Sequence, residues 1–178
     1  MPTCGKKLVR GERLDLAAVF AQKSQIEIEL ISSPSAAVKL ICLGLDAVDI
    51  IVGSAYCVGP RQPASPCGGV RHALRTDGSQ EIHVRAALLP TAIKRLEVSV
   101  VASDPGTYLG NMIGGLRLWS GDAVIAECNN LDAACASSAC ATLVEIYERQ
   151  GTWRMRMIGE VLAGSVDDLL AKHGAKTK

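Results

Sequence analysis

The chemistry open to this sequence rests on a few residues beside turn signals. Asp46 and Asp49 mark one such stretch, and Asp77 and Glu81 mark another. Carboxylates gathered from two turns are what a hard divalent cation requires, because such an ion takes about 6–8 oxygen ligands, several of them charged. Taken singly, the same residues read as a surface carboxylate, a strand start, an ordinary turn and a strand end. Cys67 and His72 stand close enough in sequence to form a thiol–imidazole pair. A cysteine nucleophile needs a base within hydrogen-bond reach and a third group that orients the base, and the sequence shows no third group. Cys128, Cys135 and Cys140 invite a soft-metal reading, but a zinc site needs about four ligands in compact spacing. The Ala- and Ser-rich stretch 129–139 around them reads as a loop, and small, partly buried thiols are the simpler account.

His83 falls among outward-facing strand residues, and His173 falls at the end of a helical segment, where a cation is favoured. Neither has a partner within its own stretch of sequence. Gly110-Asn111-Met112-Ile113-Gly114-Gly115 could cradle a phosphate by leading into a helix. It leads instead into the strand-like Leu116-Arg117-Leu118-Trp119, so its glycines are expected at a bulge or a close sheet contact. Trp119 and Trp153 are expected as core anchors, and Arg154 with Arg156 as a solvated strand face.

The elements that must position these residues show a period of two. Ile26-Glu27-Ile28-Glu29-Leu30 alternates apolar and charged residues, and so do Glu81 to Arg85, Leu96 to Val100, Val144 to Glu148 and Trp153 to Met157. Such alternation marks strands with one buried and one solvated face. Val38 to Leu43 and Val48 to Val52 are more continuously apolar and read as central strands. Turn signals separate the runs: Ser33-Pro34-Ser35, a long loop from Gly59 to Gly69, Thr76-Asp77-Gly78-Ser79, Asp104-Pro105-Gly106, Ser120-Gly121-Asp122 and Gln150-Gly151. The last reads as a short hairpin. One helix is expected near the end, capped by Ser165 with Asp168 three residues on, and closed by Gly174 after Lys172 and His173. The result is an all-β chain, an antiparallel β-sandwich of two sheets with one short C-terminal helix. The tail from Ala175 to Lys178 is expected to be disordered.

Composition narrows the classes. The chain has 178 residues, 19 basic and 18 acidic, for a net charge of +1. That length fits one domain, residues 1–178, with a core from about 8 to 174. The charge balance argues against a nucleic-acid partner held by a basic face. Hydrophobic residues make up 48% and charged residues 21%, the balance of a globular chain. Aromatic residues are only 3%, too few for stacking platforms or a ring-lined ligand pocket. No apolar run reaches the roughly 18 residues of a membrane-spanning helix, and Met1 to Arg13 is too polar for a signal peptide. With that start, seven cysteines in odd number point to reduced thiols in a cytoplasm.

Several short pieces stand in a telling order. Gly11-Glu12-Arg13-Leu14-Asp15-Leu16 is similar to a K-G-E-x-x-x-L entry, and Gly44-Leu45-Asp46-Ala47 to D-L-D-A-S. Ser65-Pro66-Cys67-Gly68-Gly69-Val70-Arg71-His72 is similar to S-P-D-G-S-V-x-H. Ile82 to Leu88, closed by Leu89-Pro90, matches a strand ending in L-P, and Glu145 to Arg154 is similar to E-L-Y-R-x-x-G-x-W-K-F. In this order they resemble the TerD family of bacterial tellurium-resistance and chemical-stress proteins, over about Leu8 to Gly174. The resemblance implies a two-sheet β-sandwich and calcium held by carboxylates of D-L-D-A-S, a G-D-N stretch and a D-D-E cluster.

This sequence departs from that pattern at the ligands. Gly44 replaces the first Asp of D-L-D-A-S. Ala73-Leu74-Arg75 replaces G-D-N, and Gly78, Ser79 and Gln80 fall on D-D-E. Asp77 and Glu81 are shifted by one residue, which in an extended segment turns a side chain to the other face. The expectation is a non-enzymatic stress-response protein of the cytoplasm with a degraded calcium site, free of any required cofactor. It would act through contacts with other stress-response proteins, with a peripheral membrane complex as a further setting. The competing expectations are a residual calcium site at Asp46, Asp49, Asp77 and Glu81, and a thiol enzyme using Cys67 and His72.

Overall fold

The computed structural model describes residues 5–104, 106–110, 112–129, 137–162 and 165–174. Its alternating segments pair into two six-stranded sheets. The first runs, in spatial order, β1 (Lys6–Lys7), β10 (Ala123–Cys128), β9 (Ile113–Ser120), β3 (Ile26–Ser32), β7 (Gln80–Val84) and β6 (Val70–Leu74). The second runs β2 (Arg13–Asp15), β12 (Thr152–Leu162), β11 (Cys140–Arg149), β8 (Arg95–Ala102), β4 (Val38–Leu45) and β5 (Cys57–Val58). The ladders are antiparallel except for the short β1–β10 pair. The sheets face each other as a sandwich. Ile26, Ile28 and Leu30 of β3 meet Leu40, Val98, Leu143 and Met155 of the second sheet in one buried cluster. Burying such side chains contributes roughly 1.5–3 kcal/mol each.

The chain visits both sheets within its first strands. β1 lies beside β10 in one sheet and β2 beside β12 in the other, and Leu8 between them is buried. The amide of Leu8 donates to the Glu127 carbonyl at 2.8 Å, and that of Gly11 to the Met157 carbonyl at 2.8 Å. This stretch therefore bonds both sheets along one side.

The C-terminal helix, α2 (Val166–Lys172), has the expected cap. Asp168 Oδ2 accepts from the Ser165 amide at 2.7 Å and from its hydroxyl at 3.1 Å. The helix lies on the outer face of the second sheet, where Leu169 joins Ile41, Leu43, Leu45, Val101 and Cys140 in a second buried cluster. That cover explains the unbroken apolar run of β4, which lies next to the sheet edge and is buried on both faces. The Gln150-Gly151 hairpin forms with positive φ of 54° and 76°, the twist a two-residue hairpin requires. Gly115 sits so close to β10 that a Cβ there would collide with the Cys128 carbonyl.

Some expectations fail. Val48 to Val52 is no strand: Asp49 has φ of 65°, and Ile51 alone bridges back to Leu45. A second helix, α1 (Ala17–Lys23), follows β2. It is shorter than the window in which a helical period shows. Trp119 and Trp153 are both half-buried; Trp153 packs against the core, whereas the Trp119 indole donates to Glu29 Oε2 at 2.8 Å. Pro105, Asn111, Cys135, most of 129–139 and the tail 175–178 lie outside the described residues.

Candidate functional site

The two carboxylate groups singled out from the sequence lie at opposite ends of β4. Asp46 directly follows its last residue, Leu45. The 76–81 hairpin meets its first residues instead: Gln80 Oε1 accepts from the Leu40 amide at 2.9 Å, and Gln80 Nε2 donates to the Val38 carbonyl at 2.7 Å. Leu40 and Asp46 are about 20 Å apart along an extended strand. Asp46 and Asp49 thus do not share a site with Asp77 and Glu81.

Each of the four carboxylates has a partner in its own chain. Asp46 Oδ1 accepts from the amides of Val48 and Ile50, both at 2.9 Å, which bends that apolar stretch into a turn. Asp49 Oδ1 lies 3.0 Å from Arg95 Nη1. Asp77 Oδ1 accepts from the Ser79 hydroxyl at 2.7 Å and its amide at 2.9 Å, which hold the carboxyl below the usual range. Glu81, 8% exposed, has Arg75 Nη1 2.9 Å from one oxygen and His83 Nε2 2.6 Å from the other.

Arg75 is the centre of a larger arrangement on the outer face of the first sheet. Glu29 stands directly opposite Glu81 in the β3–β7 ladder and is 4% exposed. The Arg75 guanidinium reaches 4.0 Å from Glu29 Oε1 and lies 4.6 Å over the Trp119 ring centre. One cation thus faces two buried carboxylates and an aromatic face, and sequence spacing across three strands gave no sign of it.

Gln80 is the second feature the sequence hid. It is 5% exposed and projects between the sheets, opposite in sense to Glu81. Besides its bonds to Leu40 and Val38, it donates to the Ser35 carbonyl at 3.1 Å, and its Oε1 lies 3.1 Å from His72 Nε2. Cys67 has other company: its sulfur accepts from the Gly69 amide at 3.3 Å and lies 3.3 Å from the Ser65 hydroxyl. The structure gives Cys67 and His72 separate partners. Among the described residues, no group of three His, Cys, Asp or Glu side chains is gathered closely enough to hold a metal ion.

A TerD domain family model matches residues 5–173. The chain belongs to the TerD family. Two solved structures have the same fold. One is a homologue of telluride resistance protein (TerD) from Streptomyces coelicolor A3(2), 16% identical, with a TM-score of 0.67 over 86% of this chain and 98% of that one. The other is SAV2460, a protein of unknown function, 18% identical, with a TM-score of 0.67 over the same shares. No curated protein matches the chain.

Within this TerD fold several positions of the calcium pattern that the resemblance implies carry other residues. A Cβ at Gly44 would stand 3.0 Å from Ile93 Cδ1 and 3.2 Å from Tyr56 Cβ, so an apolar wall stands where the first Asp of D-L-D-A-S was expected. Arg75, in the place of the G-D-N stretch, brings a positive charge to Glu81. Gln80, in the place of the last D-D-E carboxylate, is neutral and fully occupied by protein groups. None of the described helices is long and apolar enough to cross a membrane.

Proposed function

We propose that this TerD-family protein is a non-enzymatic stress-response module of the cytoplasm that acts through protein contacts and whose hairpin end is fastened by its own side chains in place of calcium. The observation that carries this reading is Glu81: both of its oxygens already face cationic or donor groups, Arg75 and His83. A calcium ion there would have to displace Arg75 and His83 from the Glu81 oxygens and the Trp119 indole N–H from Glu29. Gln80 does the complementary work between the sheets, tying the hairpin to β4 with amide hydrogen bonds that need no ion. The separate partners of Cys67 and His72 speak against thiol chemistry, which depends on their contact.

Partner recognition on this reading does not wait for a metal. The implied partners are other stress-response proteins, in free or membrane-peripheral complexes. Melting the protein in millimolar calcium and again in chelator tests the proposal. A ligand that binds the folded state alone stabilises it by about 2.7 kcal/mol at a hundred times its dissociation constant. Equal melting temperatures are expected. A calcium-dependent rise that disappears in Asp46→Ala would overturn the reading.

A further inference from the structure

Away from the carboxylate turns, the described residues leave a broad cleft of about 1060 Å³ at the end of the second sheet, beside the start of α2. Its floor follows from strand register. Leu162, Cys140, Val101 and Lys39 stand side by side across β12, β11, β8 and β4. Strands lie about 4.8 Å apart, so this row spans about 14 Å. Leu162, Val101 and Lys39 line the cleft, and Ile41, two residues along β4 on the face of Lys39, extends it.

The two ends of the row differ in charge. At the β4 end, the turn 59–62 brings Arg61 to the edge that carries Lys39. The Gly59 amide donates to the Gln62 carbonyl at 2.9 Å and closes that turn. A Cβ at Gly59 would stand 2.8 Å from Ile41 Cγ2, so the turn lies hard against β4. At the β12 end, the chain leaves Leu162 and enters α2 with Asp167 and Asp168 in its first turn. Asp168 is held by Ser165, whereas Asp167 is exposed. Asp104, just past β8, adds an exposed carboxylate to the lining. Among the described residues, Lys39, Arg61, Asp104 and Asp167 take part in no ion pair. The walls carry Tyr108, 64% exposed, and Val161, 42% exposed. Aromatic rings beside a groove are the favoured anchors of protein interfaces.

We propose that this cleft holds an extended segment of a partner protein, with apolar residues between an acidic end on Lys39 and Arg61 and a basic end on Asp167. The charges favour such a segment over a small apolar anion, which would pair with one end and leave the other bare. The volume also exceeds the roughly 300–1,000 Å³ of sites for drug-sized ligands. An extended chain rises about 3.3 Å per residue, so roughly four residues cover the row and set one charge over each end. Its amides find acceptors on the way. The Ser103 and Ser165 hydroxyls give their protons to the Ala36 carbonyl and to Asp168, and their oxygens keep lone pairs. The inference rests on the reading that the protein acts through protein contacts, and it names where one contact is made.

Panning the immobilised full chain against random phage-displayed heptapeptides tests it. The most enriched peptide is then made synthetically and titrated by fluorescence anisotropy. Enriched peptides are expected to carry an acidic and a basic residue roughly four positions apart, with apolar residues between. Tyr108→Ala should weaken binding about tenfold or more. Arg61→Glu, also at an exposed position, should weaken it about three- to fivefold, and a peptide whose acidic residue is changed to Lys should recover the loss. No enriched peptide, or one whose affinity ignores both substitutions, overturns the proposal. Binding of dodecanoate with no peptide enriched would assign the cleft to a small anion. Self-association abolished by Tyr108→Ala would assign it to a second copy, and either result overturns the proposal too. A partner protein that binds wild type and Tyr108→Ala alike would leave the contact reading standing and reject the cleft.

Discussion

At the scale of single residues, the difference between Gln80 and its neighbour Glu81 governs the hairpin end. They point to opposite faces of β7, so one stitches the sheets together and the other anchors an arginine on the surface. Gln80→Leu would leave the Leu40 amide and the carbonyls of Ser35 and Val38 without their partner. Each orphaned buried group costs about 1–3 kcal/mol, so a loss of about 3–5 kcal/mol is expected. Urea titration checks it, and a loss under about 1 kcal/mol would show that water or the backbone satisfies these groups equally well. Sequence reading placed Asp77 and Glu81 beside a turn correctly, because turn chemistry is local. It could not see Gln80 as a bridge, since its partners lie some forty residues away on the other sheet. The partner of His173 was hidden for the same reason: Glu97 of β8, 3.1 Å from its Nε2, comes to it through tertiary packing.

At the scale of elements, alternation was the reliable guide. Ile26 to Leu30, Leu96 to Val100, Val144 to Glu148 and Trp153 to Met157 are all strands, because period-two patterning states which face is buried. Patterning failed where one polar group outweighed it. Val48 to Val52 is apolar enough for a strand, but Asp46 draws the amides of Val48 and Ile50 onto one carboxylate oxygen and closes a turn. The strand β10 shows another limit: its pairing depends on Gly115 in β9, whose missing side chain admits the Cys128 carbonyl. Gly115→Ala must push two strand backbones apart, with an expected loss of about 2–4 kcal/mol. Differential scanning calorimetry reads this as a lowered melting temperature. Gly114, whose Cβ would meet the Ile31 side chain at 3.3 Å, supplies the milder control.

At the scale of the whole molecule, two sheets with long-range pairings require both halves of the chain before either core is complete. The second sheet takes β2 and β4 from the first half and β8, β11 and β12 from the rest. The two-sheet architecture was legible from strand number and patterning, whereas strand order was not, because nothing local encodes which edges meet. The opening residues matter most here, since they belong to both sheets at once. They work like the hem of a folded cloth, sewing down two raw margins in a single pass. A chain lacking residues 1–12 would bare the outer margin of β10 and strip β12 of the Gly11 and Glu12 bonds that lead into β2. Uncovered strand margins template pairing with other chains. Light scattering should therefore report more self-association for the shortened protein than for the intact chain, and equal association of the two would show the hem to be dispensable. By the same logic, a bulky fusion attached at this end presses on the stitching, and one attached elsewhere leaves both margins sewn.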